Sequence, residues 1–166
     1  VLDNLSGSGP TTVNVTGGNL VFTVTATTPD SRGEARLSWD ADTNPLVLST
    51  GGFNPGVDLT AGNTSGFQIG FTSSTVAAEI EITVHDDNVV ANSSRAVRRV
   101  AVGGAQLVRI PFSEFRTSGS APANFADVRA VELTIRAGEG TFSINEFITS
   151  PPALAATKVD QQVLDV

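Results

Sequence analysis

The sequence predicts an all-β domain, a two-sheet antiparallel β-sandwich. Three observations carry that expectation. Apolar residues recur at every second position through many short runs, and clusters of Gly, Pro, Asn and Asp separate the runs. No segment of helical length carries an apolar stripe with a 3.6-residue period. Composition agrees. Among 166 residues there are 16 Gly, 15 Ser, 19 Thr and 10 Asn. Charged residues make up only 16%, below the roughly 25% of ordinary globular domains. Hydroxyls and turn formers take the place of the Glu/Lys pairs that lace exposed helices.

Leu20, Phe22 and Val24 alternate with Val21, Thr23 and Thr25, and Ala35, Leu37 and Trp39 alternate with Glu34, Arg36 and Ser38. The rhythm returns in Phe67/Ile69/Phe71, in Ile80/Ile82/Val84 against Glu79/Glu81/Thr83, and in Val108/Ile110/Phe112. Val131/Leu133/Ile135 against Glu132/Thr134/Arg136 follows, then Phe142/Ile144. Successive strand side chains point to opposite faces, so each run buries one row and wets the other. Gly17-Gly18, Thr28-Pro29-Asp30, Asn54-Pro55-Gly56, Asp86-Asp87-Asn88, Gly103-Gly104 and Gly138-Glu139-Gly140 supply the turns. Ser113-Glu114-Phe115-Arg116, after Pro111, reads as a short helix or a turn.

Residues 1–150 are expected to form one sandwich domain, with residues 151–166 as a tail. Pro151-Pro152 cannot donate ladder hydrogen bonds and so mark the edge of the compact unit. The tail reads either as a linker or as an assembly arm. As an arm, Val159, Val163, Leu164 and Val166 would pair with a neighbour's open sheet edge. Val1-Leu2-Asp3-Asn4-Leu5 could serve the same purpose.

Charge excludes some functions. With 17 acidic and 10 basic side chains the formal net charge is −7, which repels a phosphate backbone and argues against nucleic acid. The longest apolar runs are too short to span a bilayer. The sequence opens on Val1 and contains no Met. It therefore reads as a processed product whose export signal preceded Val1, and the expected location is secreted or at the cell surface. The absence of Cys removes disulfides, thiolate metal sites and thiol nucleophiles.

No catalytic constellation stands out, and the expectation is a non-enzyme. His85 is the single imidazole, with no Gly-x-Ser-x-Gly elbow to serve, and its phase reads as a solvated strand end rather than a base. Glu79 and Glu81, two apart on one strand, read as the polar side of an amphipathic strand rather than a glycosidase pair. Asp40, Asp42 and Asn44 have the Asp-x-Asp-x-Asn spacing of a calcium loop. Pro45 and Gly51 stand where that loop needs Gly and a bidentate Glu, so calcium is at most a loop stiffener. Asn4, Asn14, Asn63 and Asn92 fit the N-glycosylation acceptor pattern. Sugar binding needs an aromatic platform beside amides or carboxylates. Nine of the ten aromatics are Phe and none is Tyr, which leaves Trp39, or a Phe such as Phe53, to provide it. The phase of Trp39 with Ala35 and Leu37 favours a place in the core.

Several ordered motifs resemble a known group. Leu37-Ser38-Trp39-Asp40 is followed by Val57-Asp58-Leu59-Thr60-Ala61-Gly62-Asn63-Thr64-Ser65-Gly66-Phe67-Gln68-Ile69 and then Ile80-Glu81-Ile82-Thr83-Val84-His85-Asp86. Later come Val108-Arg109-Ile110-Pro111-Phe112-Ser113-Glu114-Phe115 and the run from Asn124 to Ile135. This layout, over roughly residues 20–150, resembles exported bacterial proteins of the PEP-CTERM type. It is also similar to galactose-binding-like jelly rolls, including some carbohydrate-binding modules. Members of that second group carry an Asp where this chain has Asn145-Glu146, so a contact made by that Asp does not carry over. The resemblance implies a jelly roll in a surface or matrix protein. Together with the composition it favours an extracellular structural protein that self-associates through sheet edges or terminal arms into a layer, matrix or filament. The alternative is a carbohydrate-binding module that takes a polysaccharide and is stiffened by calcium.

Overall fold

The computed structural model describes residues 2–7, 11–25, 32–41, 48, 52–86 and 92–152. Among the described residues there are eleven strands: β1 (Leu2–Gly7), β2 (Thr11–Thr16), β3 (Asn19–Val24), β4 (Arg32–Trp39), β5 (Gly66–Ser74), β6 (Ala78–His85), β7 (Ser93–Val100), β8 (Gln106–Pro111), β9 (Arg116–Thr117), β10 (Ala130–Gly138) and β11 (Gly140–Ser150). They form a six-stranded sheet in the order β1-β4-β10-β6-β7-β9 and a five-stranded sheet in the order β2-β3-β11-β5-β8. Every strand pair is antiparallel. The expected sandwich is therefore present, in jelly-roll form.

Alternation explains the register. In the six-stranded sheet Leu37, Leu133, Ile82 and Ala96 form one inward row across four strands, and Ala35, Ile135 and Ile80 form the next. The five-stranded sheet answers with Phe22, Phe142, Ile69, Phe71 and Ile110, all buried. Aliphatic side chains line one wall, phenylalanines with Ile69 and Ile110 line the other, and together they make one core cluster.

Local signals set the connections. Gly17 and Gly18 have φ of 58° and 79° and join Thr16 to its register partner Asn19. Two consecutive positive φ values define the two-residue hairpin turn that matches strand twist, and Gly adopts them without steric cost. Around Ser113 the chain makes only a single 3-10 turn, Phe112–Glu114.

Three strands escape the alternation rule. In β7, Arg95, Val97 and Arg99 face outward and Arg98 reaches Glu114 at the sheet margin, so few apolar residues mark the strand. β2 is an edge strand with most of its residues exposed. β1 lies antiparallel to β4 of its own chain, so the segment read as an N-terminal arm is an edge strand here.

Candidate functional site

The outward face of the six-stranded sheet is a lattice of charge. Arg136 reaches Glu34 through Nε at 2.6 Å and reaches Glu81 and Glu79 through Nη1 at 3.4 and 3.5 Å. Burial alone would lower the Arg136 pKa. The Glu34 hydrogen bond and the charges of Glu34 and Glu81 outweigh it, so the net shift is upward. Glu79 and Glu81 thus do sit on the polar side of β6, where arginine engages them.

His85 differs from expectation. It is only 5% exposed, and its Nε2 lies 2.9 Å from Glu132 Oε2. Its cross-strand neighbours are Ala130 and Ser93, too small to hold the ring away from the sheet. The segment from Ser118 to Asn124 is tied to the same strand end, with the Asn124 N–H donating to Asp86 and the Ser93 N–H to the Ala121 carbonyl. Alternation identified the outward face, but that face is covered here.

Trp39 sits at the far end of β4. It faces inward in phase with Leu37 and opposite Val131, yet it is 37% exposed, which corrects the expectation of a core tryptophan. The reason is position along the strand. The sandwich opens where β4 ends, so an inward side chain lies at its mouth. Phe147 of β11 stacks on Trp39 with centroids 5.0 Å apart and planes at 29°. Phe67 stacks behind Phe147 at 5.3 Å and 7°. The indole therefore has a rigid aromatic backing.

Two grooves flank the indole. One, of about 230 Å³, is lined by Leu20, Leu37, Trp39, Asn145, Glu146 and Phe147 among others. The second, of about 220 Å³, includes Trp39, Phe53, Val57, Leu59, Phe147 and Thr149. A register shift in β11 between Ile144 and Glu146 sets Asn145 outside the ladder. Bulges of this kind re-aim side chains. Gly70 makes room for them: a Cβ there would lie 2.7 Å from Asn145 Oδ1 and 3.1 Å from Glu146 Cβ. Gln68 Nε2 donates to Glu146 Oε2 at 3.1 Å, and Arg109 Nε donates to Gln68 Oε1 at 3.1 Å, so the carboxylate is held.

The far wall is a latched loop. The Phe53 N–H donates to the Arg129 carbonyl at 2.8 Å, and Arg129 Nη1 donates to the Phe53 carbonyl at 2.9 Å. Val57 and Val128 exchange both backbone hydrogen bonds. Gly52 has φ of 48°, and a Cβ on it would lie 2.4 Å from the Arg129 carbonyl oxygen, so only glycine lets the loop approach this closely. Beyond Val57, Asp58 accepts from the Thr60 hydroxyl at 2.6 Å and from the Thr60 N–H at 2.8 Å. Those bonds, the hydroxyl's first, hold its pKa below the usual carboxylate value.

Of the residues singled out in the sequence, Trp39 and Phe53 line the same groove. Asp40 is 2% exposed and has bonding partners. Asp42 and Asn44 lie outside the described residues, as do Val159, Val163, Leu164 and Val166. Among the described residues no three His, Asp or Glu are grouped to hold a metal ion, and no helix is long and apolar enough to cross a membrane. Asn63 is exposed on a 3-10 turn. Phe147, Asn145 and Glu146 were not anticipated as site residues.

No protein-family model and no curated protein matches the chain. Several solved structures share its fold. The family 11 carbohydrate-binding module from Clostridium thermocellum, solved in complex with a β-1,3-1,4-mixed-linked tetrasaccharide, is 13% identical with a TM-score of 0.54. That match covers 89% of this chain and 86% of the module. The family 11 module of the cellulosomal cellulase Lic26A-Cel5E, also from Clostridium thermocellum, is 11% identical with a TM-score of 0.55, covering 92% and 89%. The agarase AgWH50C is 10% identical with a TM-score of 0.53. There the match takes 91% of this chain but only 23% of the enzyme. The chain is thus similar in fold to jelly-roll carbohydrate-binding modules and to about a quarter of a much longer agarase.

Proposed function

We propose that this chain is a non-catalytic, extracellular carbohydrate-binding domain that holds a neutral polysaccharide against Trp39. The observation that carries this reading is the half-exposed indole, backed by Phe147 and set between two open grooves with Asn145 and Glu146 at its side. The apolar face of a pyranose stacks on such a ring, and polar groups of the groove lining pair with its hydroxyls. The fold likeness to a module solved with a β-1,3-1,4-mixed-linked tetrasaccharide supports binding over the assembly reading drawn from composition. The resemblance to exported bacterial surface proteins supports the location.

Affinity electrophoresis through gels containing mixed-linkage β-glucan or agarose tests it. The wild-type chain is expected to be retarded, and Trp39→Ala to lose at least about ten-fold in affinity, as central aromatic contacts do. Free migration of the wild type in every such gel, or equal retardation of Trp39→Ala, would defeat the proposal.

A second reading, self-association through sheet edges, is favoured by β7 and β8. β7 pairs with β9 only at Ser94 and Arg95, and β8 is an edge strand whose Leu107 is 55% exposed. Open edges template further strands. On this reading, sedimentation velocity of the full chain shows concentration-dependent assembly; a monomer at every concentration removes it.

A further inference from the structure

We infer that the groove between Trp39 and the 53–59 loop takes an O-acetyl substituent of the bound polysaccharide, so that the site prefers acetylated chains. The inference rests on the reading of Trp39 as the sugar platform and deepens it. That groove, of about 220 Å³, is smaller than the roughly 300–1,000 Å³ of pockets that hold a whole ligand. It shares Trp39 and Phe147 with the groove on the other side. A group seated in it therefore hangs from a pyranose stacked on the indole.

The two grooves differ in chemistry. The first carries Asn145 and Glu146. In the second, apart from the Trp39 ring N–H, Thr149 supplies the one polar side-chain group among the described residues that line it. The backbone of its loop wall is occupied as well. Val57 and Val128 exchange both hydrogen bonds, and the Leu59 N–H donates to the Phe125 carbonyl at 2.9 Å. Arg129 takes both the N–H and the carbonyl of Phe53. A sugar hydroxyl pressed into this groove leaves water and finds few partners, which disfavours it. The groove is nevertheless open to solvent. Val57 is 40% exposed and Ile148 is 45% exposed, two branched aliphatic side chains from the loop and from β11 beside one opening. Apolar side chains gathered at a concave rim mark a binding surface.

An O-acetyl group meets these conditions. Its methyl needs no partner and gains by leaving water. Its carbonyl oxygen accepts a hydrogen bond, and the Thr149 hydroxyl is a donor placed in the same lining. The ester brings no donor of its own to be left unpaired. A bare methyl, as on a 6-deoxy sugar, leaves most of the volume without contacts. A second copy of the chain would bring a like formal charge of −7 to the same rim, which opposes its approach.

Affinity electrophoresis of the full chain tests this. The gels contain mixed-linkage β-glucan or agarose, each sparsely O-acetylated, and the same preparations after alkaline deacetylation. The acetylated form of the polymer that is bound is expected to bind about ten-fold more tightly. Val57→Thr combined with Ile148→Thr places hydroxyls at the rim and is expected to bring the two affinities to within about two-fold of each other. Circular dichroism should not change, because both side chains are at the surface. Val57→Ile, which keeps the rim apolar, is expected to retain the preference, and Trp39→Ala to weaken binding of both forms. Equal, Trp39-dependent binding of the two forms overturns the acetyl pocket and leaves the platform reading standing. No binding of either form, or acetyl-dependent binding that ignores Trp39→Ala, overturns both. A preference that survives the double substitution, or a dimer in sedimentation velocity that the double substitution disperses, also overturns the acetyl pocket.

Discussion

Phe142→Ala is expected to destabilise the fold by about 3–5 kcal/mol, the range for removing a buried phenylalanine from a packed core. Phe142 is 0% exposed. It lies on β11, the central strand of the five-stranded sheet, in register with Phe22 on β3. Its ring centroid is 4.8 Å from that of Phe71, and both rings face the aliphatic wall of the other sheet. The ladders hold the flanking strands at fixed spacing, so the backbone cannot close over a lost ring, and a cavity term adds to the lost transfer energy. Urea unfolding followed by circular dichroism measures the change. Phe142→Leu, which keeps most of the volume, should recover the larger part. A loss below about 1 kcal/mol for the alanine variant would contradict the packing described for this wall.

Arg136→Leu is expected to cost about 2 kcal/mol at neutral pH, with a distinct dependence on acidity. The substitution leaves Glu34, Glu79 and Glu81 gathered around an apolar side chain. The estimate sits below that for breaking a fully buried pair because the Arg136 side chain is 38% exposed, so solvent screens part of the interaction. The sign follows from linkage. Arg136 has a raised pKa, so its contribution is complete below the ordinary arginine value and is lost only as pH rises through the raised one. Through the acidic and neutral range the arginine itself stays charged. The penalty in the variant comes from three carboxylates left facing one another without a cation between them. Denaturation curves should therefore separate wild type from variant at neutral pH, with the gap narrowing only as pH rises through the raised arginine value; coincident curves at neutral pH would refute the account.

The layering of this molecule was legible because alternation encodes it directly. Ile80, Ile82 and Val84 could face only one way relative to Glu79, Glu81 and Thr83, and the opposing phenylalanines completed the wall. What escaped has two causes. β7 carries Arg95, Arg98 and Arg99 with little apolar content, so a strand stabilised by charge pairing and by its neighbours leaves no apolar signature. The second cause is depth. Period two reports which side of a sheet a residue occupies but not how far the other layer extends over it. Trp39 has the right phase and still emerges at the mouth, while His85 has the outward phase and is covered. The groove beside Trp39 depends on a register shift at Asn145 and on the loop held to Arg129, both set by pairings distant in sequence. Asn145-Glu146 was visible as a departure from a familiar pattern, but nothing local placed it next to an indole.

The stack of Trp39 on Phe147 also gives the molecule a built-in optical probe. The chain has one Trp and no Tyr, so light absorbed at the red edge of the protein band is emitted from a single ring. Because that ring stands at the groove, a sugar settling on it displaces water and moves the emission to shorter wavelength. One unlabelled sample can then report whether the groove beside Trp39 is filled.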